Sequence, residues 1–279
     1  MTFLITGSTG TTGSRLARLL DDQGAPVRRA GRSTGADVRL DWADPTTHAD
    51  ALSGVRAVYL VAPPGATDPE ARVLPFLEAA RDAGVERIVL LGSSAVPVGS
   101  PGLGTLGARL ASFVPHPVVL RPTWFSSNFT GHHPHADSVR RDGEIVSATG
   151  QGRIPFIDPG DIAAVAAKAL QGEVPAGADP VLTGPRTLSF DEVAATLTEV
   201  TGRPVHHRHV DVAELSRIHQ GFGLPEGFAD LLAGMDASIA TGSEDRTTTA
   251  VQDITGEAPR SFRAFVTAAL GAETDTRSA

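Results

Sequence analysis

Short apolar runs alternate with helix-period segments through the first half of the chain, the pattern of strands joined by crossover helices. The runs 2–6, 26–30, 37–40, 57–61, 87–92 and 117–121 predict six strands, too continuously apolar for sheet faces open to water. Between them Val73, Leu77 and Ala80 share one helix face that stops at Gly84, ahead of "RIVLLGSS". A doubly wound, mostly parallel α/β sheet follows. After Pro122 the rhythm lengthens. In "PFIDPGDIAAVAAKAL" a strand end precedes a helix whose face carries Ile162, Val165, Ala166, Ala169 and Leu170, with Asp161 placed as its cap. In "TLSFDEVAATLTEVTG" Ser189 and Glu192 have capping-box spacing and Gly202 ends the helix. The stretch 211–270 reads as mostly helical, and the last residues have nothing to pack and fray.

Composition narrows the chemistry. The 279 residues are ample for a core without staples. Cysteine is absent, which removes disulfides, thiolate nucleophiles and thiolate zinc sites. With 24 basic against 32 acidic residues and scattered arginines, no stripe exists to follow a phosphate backbone, so no nucleic-acid partner is expected. No apolar run approaches membrane-spanning length and no basic leader is present, so a cytoplasmic location and no membrane partner are expected. The sequence leaves monomer and homodimer open.

The sharpest signal is "FLITGSTGTTGSRLARLL". Here Gly7, Gly10 and Gly13, interleaved with Ser8, Thr9, Thr11 and Thr12, sit where a strand gives way to a helix. Missing side chains let backbone N–H groups and a helix N-terminus approach a pyrophosphate. An NAD-selective fold places an acid about 20 residues on, against the ribose 2′-hydroxyl. No acid occurs from Gly24 to Ala36; instead Arg32 and Ser33 stand where a 2′-phosphate would lie. NADP(H) is therefore the expected cofactor. Arg28 and Arg29 alternate across their strand, so at most one can assist. The carboxyl ends of later strands add Asp41 near the adenine, equally readable as a helix cap, then Ala62, Pro63, Ser93 and Ser94.

With these residues placed, the chain resembles the NmrA-like family of atypical short-chain dehydrogenases, in the branch of ergot-alkaloid reductases and type 2 quinone oxidoreductases. The carriers are the glycine loop, "LSGVRAVYLVAPP", "AARDAGVERIVLLGSSAV", "VVLRPTWFSSNF", "RIPFIDPGDIAAVAAKAL", "LTGPRTLSFDEVAATLTEVTGRPV" and "DITGEAPRSFRAFV", in order along nearly the whole chain. The resemblance implies a Rossmann-like domain at 1–125 and a smaller C-terminal α+β substrate lobe at 126–279, with 155–185 returning to the first domain. It further implies bound NADP(H) with the nicotinamide facing a cleft between the two. "LRPTWFSSNF" would lie beside it, with Pro122 and Thr123 toward the cofactor. Trp124, Phe125, Asn128 and Phe156 would meet the substrate, core packing being the alternative for the aromatics.

Ordinary short-chain dehydrogenases use a tyrosine and a lysine four residues later. Here Tyr59 is the single tyrosine, in a strand with Pro63 four residues on, and Lys168 is the single lysine, on a helix far away. An acceptor that is already cationic or strongly electrophilic makes less demand on such a pair, which favours an iminium, a quinone or a conjugated enone. Ser94, His132 and Asp158 are the candidate proton donors. Two histidine clusters, "HHPH" at 132–135 and "HHRH" at 206–209, invite a metal, but only His207 and His209 share a face and no third ligand is visible, so no metal is expected. The reading is an NADPH-dependent oxidoreductase acting on a small apolar electrophile. A non-catalytic NADP(H) sensor and an isomerase or cyclase on the same scaffold are the alternatives.

Overall fold

The computed structural model describes residues 2–32, 35–63, 65 and 68–276, with side chains through 271. The chain divides into two compact units, each assembled from separate stretches: residues 1–122, 159–182 and 250–257 form the first, and 123–158, 183–249 and 258–279 the second.

The first unit is built on seven strands: β1 (Thr2–Thr6), β2 (Val27–Gly31), β3 (Val38–Arg39), β4 (Val55–Leu60), β5 (Arg87–Leu91), β6 (His116–Pro122) and, after β7 of the second unit, β8 (Val181–Leu182). Their order is β3-β2-β1-β4-β5-β6-β8. Every pairing is parallel, with Phe3 opposite Val27 on one side and Ala57 on the other. Crossovers α1 (Gly13–Asp22), α2 (His48–Leu52), α3 (Pro69–Asp82) and α4 (Leu103–Arg109), with α6 (Pro159–Gln171) and α10 (Ala250–Thr255) contributed later, complete the unit. This is the doubly wound α/β class expected. All the predicted strands form, with ends shifted by one or two residues. Strand β3 is trimmed at both ends, to two residues: the Asp37 carboxylate accepts from Arg29 N, and Asp41 folds a turn by accepting from Ala43 N. Leu4, Val58, Leu60, Phe76, Ile88 and Leu90 form the centre of its core, burial on the order of 2 kcal/mol for each such side chain.

The second unit holds the parallel pair β7 (Glu144–Ser147) and β9 (His206–His209) with α5 (Pro134–Asp142), α7 (Phe190–Thr201), α8 (Val212–Gly221), α9 (Glu226–Ala240) and α11 (Phe262–Thr276). The capping box forms as the spacing predicts: Ser189 Oγ accepts from Glu192 N at 3.2 Å and Glu192 Oε2 accepts from Ser189 N at 2.8 Å. Gly202 closes α7 in the left-handed conformation. Phe129, Phe156, Phe190 and Phe262 make an aromatic core with ring centroids 5.4–6.0 Å apart. No helix among the described residues is long and apolar enough to cross a membrane.

Candidate functional site

In the first unit the strand order reverses between β1 and β4, the point at which open α/β sheets bind ligands beyond their carboxyl ends. The glycine corner lies there. Gly7 turns with φ +61° against Val61, and Gly10 N donates to Gly7 O at 2.9 Å. A Cβ on Gly13 would stand 2.3 Å from Gly7 O, so only glycine lets α1 start so close to the strand. That start leaves N–H groups of the first helical turn for an anion. Thr12 lies buried beneath and its Oγ1 accepts from the Tyr59 hydroxyl at 3.0 Å, while Ser8 Oγ donates to Ala30 O. Thr9, Gly10 and Thr11 face solvent.

The other residues expected at the dinucleotide follow the strands in turn. Arg32 is exposed after β2; Ser33 lies outside the described residues. Asp41 ends β3 in its turn and pairs with Arg39 at 3.7 Å. Ala62 and Pro63 follow β4, half-buried, and Ser93 follows β5, its Oγ accepting from Ala95 N. Ser94 is buried beside the end of β6, its N donating to Pro122 O and its carbonyl accepting from Arg121. Thr123 opens the second unit and donates to Pro155 O at 2.6 Å.

The second unit contains a cavity of about 560 Å³, walled by Trp124, Leu215, Ile218, Phe222, Phe228 and Met235 among others. Of the expected substrate residues, Trp124 and Asn128 line it. Phe125 bridges to Ile157 in the backbone, and Phe156 is 1% exposed in the aromatic core. His132 faces solvent, and the wall is made instead by its neighbours His133 and His135. Asp158 is buried and paired with Arg260 at 3.2 Å. The expected donors thus divide, Ser94 in the first unit and His132 and Asp158 in the second.

The residue that sequence reading passed over is Asp236. It lies on α9 among Leu232, Ala233 and Met235 and lines the cavity. Burial pushes its pKa up to about 6, opposed only by the Ala148 N–H bonded to Oδ2 at 2.9 Å. The cavity's other acids have cation partners: Asp142 pairs with Arg141, and Glu144 with Arg208. The signal was present, an acid four residues after Leu232 on the apolar side of "ADLLAGMDASIA", but only tertiary structure tells a cavity wall from a helix face.

Burial also lowers the histidines of the wall, His219 among them, with His133 at about 4 and His135 at about 3, so these two are neutral near pH 7. His135 stacks on Phe129 at 5.5 Å and leans on Phe190. Its folded pKa lies below the unfolded value, so its stabilising contribution is present above about pH 6.5 and is lost as pH falls toward 3. We expect His135→Phe to lose less melting temperature than the native chain between pH 6.5 and 4 in thermal denaturation; parallel curves would mean that the ring is already solvated.

Known proteins give this arrangement a context. Residues 3–102 match the profile of the NAD dependent epimerase/dehydratase family. An oxidoreductase of Bacillus subtilis (strain 168), named YesF and described as uncharacterized, is 39% identical over 270 residues, covering 95% of this chain and 94% of its own. Agroclavine dehydrogenase of Claviceps fusiformis is 38% identical over 281 residues, 95% of this chain and 96% of that one. The NADPH-dependent quinone oxidoreductase of Escherichia coli, solved with NADPH, shares the fold with a TM-score of 0.79 at 23% identity, over 95% of this chain and 98% of that one.

Proposed function

The chain belongs to the NmrA-like family of atypical short-chain dehydrogenases, that of the clavine dehydrogenases, and from this premise we propose that it is an NADPH-dependent reductase of a small, largely apolar electrophile. The observation that carries the reading is the glycine corner, whose floor a single Cβ at Gly13 would fill. NADPH, when bound there, supplies a hydride. The chain's own residues do the rest. Backbone N–H groups of the corner and the first turn of α1 hold the pyrophosphate. Arg32 offers its guanidinium to the 2′-phosphate, a charge-assisted contact of about 1.5–3 kcal/mol.

The acceptor belongs in the second unit's cavity, whose apolar rings suit a flat unsaturated molecule. A tyrosine–lysine pair has no part in the reading. Tyr59 is wholly buried, its hydroxyl is held on Thr12 and burial raises its pKa above the usual tyrosine range, while Lys168 is paired with Glu173. Asp236 is the group that answers the acceptor: protonated, it donates to the oxygen of a reduced quinone or enone, and ionised, it faces the positive charge of an iminium.

Two measurements test this. Loss of NADPH absorbance is followed with an iminium, a quinone and an enone; dinucleotide binding with no turnover in any class would favour the sensor reading instead. In Arg32→Ala, NADPH affinity falls at least ~10-fold while NADH affinity stays as it was, since about 1.4 kcal/mol is one decade. Equal losses for the two would make Arg32 a structural residue.

A further inference from the structure

Strand β9 alternates His206 and Arg208 to one side and His207 and His209 to the other. The third ligand that the sequence does not disclose comes from α7. Asp191 Oδ1 lies 3.1 Å from His207 Nδ1 and 3.6 Å from His209 Nε2, and the three ligand atoms all lie within 4.8 Å of one another. Donors about 2.0–2.2 Å from a tetrahedral cation stand roughly 3.3 Å apart, a spacing that these two distances bracket. We propose that Asp191, His207 and His209 form a binding site for a divalent transition-metal cation of the zinc class, separate from the cavity.

The surroundings hold the ligands in place. The His207 side chain is wholly buried, lies 5.4 Å from the Phe190 ring, and sets its Nε2 2.7 Å from Ser147 Oγ. Ser147 Oγ is in turn 2.8 Å from Thr149 Oγ1, and both hydroxyls are fully buried. Hydroxyls rotate, so the chain serves either ring tautomer. Without a cation, Nδ1–H donates to Asp191 and Nε2 accepts from Ser147. With one, Nδ1 gives its lone pair to the metal and the proton sits on Nε2, donating to Ser147, which donates to Thr149. The ring is neutral in both states. A ligating histidine needs its second nitrogen bonded in this way.

Asp191 is oriented as well. Its Oδ2 accepts from Gln151 Nε2 at 3.0 Å, which leaves Oδ1 toward the two rings. Asp191 and His209 are each 45% exposed, giving water access to the remaining coordination positions. Two imidazoles and one carboxylate suit zinc, cobalt, nickel or copper over magnesium or calcium, which take oxygen ligands. The site also adjoins the cavity wall through one ring: Phe190 touches His207 on one side and His135 on the other.

The test is calorimetric titration of the full, chelator-stripped chain with zinc, cobalt, magnesium and calcium chlorides. One zinc per chain with micromolar affinity, a visible ligand-field band for bound cobalt, and no heat from magnesium or calcium are expected. His209→Ala and Asp191→Asn each weaken zinc at least tenfold. His206→Ala, which removes the exposed neighbour on the other side of the strand, leaves it unchanged. Thermal melts confirm that each variant is folded, and His209, half-exposed near the strand's end, is the substitution that fold tolerates best. The proposal is overturned by no stoichiometric zinc, by magnesium binding as tightly as zinc, or by an equal loss in His206→Ala and His209→Ala.

Discussion

Gly13→Ala lowers NADPH affinity at least ~100-fold. The new Cβ meets Gly7 O at 2.3 Å and Gly7 C at 2.9 Å, and both are backbone atoms that cannot rotate aside. Relief requires the corner to open by about an ångström, as overpacking forces backbone shifts costing roughly 1–3 kcal/mol. The same movement turns helix N–H groups away from the pyrophosphate. Bonds to a charged acceptor are worth about 1.5–3 kcal/mol each, and losing two exceeds the 2.7 kcal/mol or so of two decades. Gly10→Ala is milder, since its nearest contact would be 3.2 Å from Gly7 O. Gly24→Ala is the control: unlike Gly13 it has positive φ, but its Cβ meets nothing within 4 Å, so it costs about 1 kcal/mol of stability and leaves affinity intact. Calorimetric titration with parallel melts reads both quantities. NADPH binding within threefold of the native chain in Gly13→Ala would remove the corner from the site.

Asp236→Asn slows reduction of a quinone or enone on the order of 100-fold, the lower range for loss of a positioned acid, with NADPH affinity unchanged. The pH profile carries the stronger evidence. For a neutral acceptor, kcat/KM falls as pH rises through about 6, where Asp236 gives up its proton. For a cationic acceptor it rises through the same value, because the carboxylate is then the useful form. The variant is flat in both cases, and a native profile flat for every acceptor would retire Asp236 from the reaction. Stability has its own sign. The folded pKa lies above the unfolded one near 3.9, so the contribution is complete below about pH 4 and is lost as pH rises through 6. At pH 8 the asparagine variant is therefore the more stable, by on the order of 1–2 kcal/mol after screening through the open cavity, and the gap closes by pH 4.

The first unit was legible because its signals are local. Apolar runs specify buried parallel strands, and glycines three apart at a strand end specify the corner; the boundary slips at β3 came from carboxylates that bond to nearby backbone. Capping at Ser189 and Glu192 was equally readable. The second unit's wall was not. "HHPH" suggests a functional histidine but not which one, and the start of α5 at Pro134 is what sends His133 and His135 inward and leaves His132 in solvent. Asp236 and Asp191 were invisible for a common reason. Their neighbours across space are Ala148, 88 residues away, and His207, 16 away, and no spacing rule joins such distances.

Each unit is assembled from three stretches, so the polypeptide passes from one to the other five times. Neither can be cut out as a continuous fragment. A truncated chain ending at Pro122 would lack β8, α6 and α10, exposing the edge of β6 and the apolar face that Ile162, Val165 and Leu170 bury. Such edges invite pairing with other chains. Exchange of acceptor preference between relatives therefore has to proceed by grafting side chains of the cavity wall, position by position, since there is no single seam at which one half could be swapped for another.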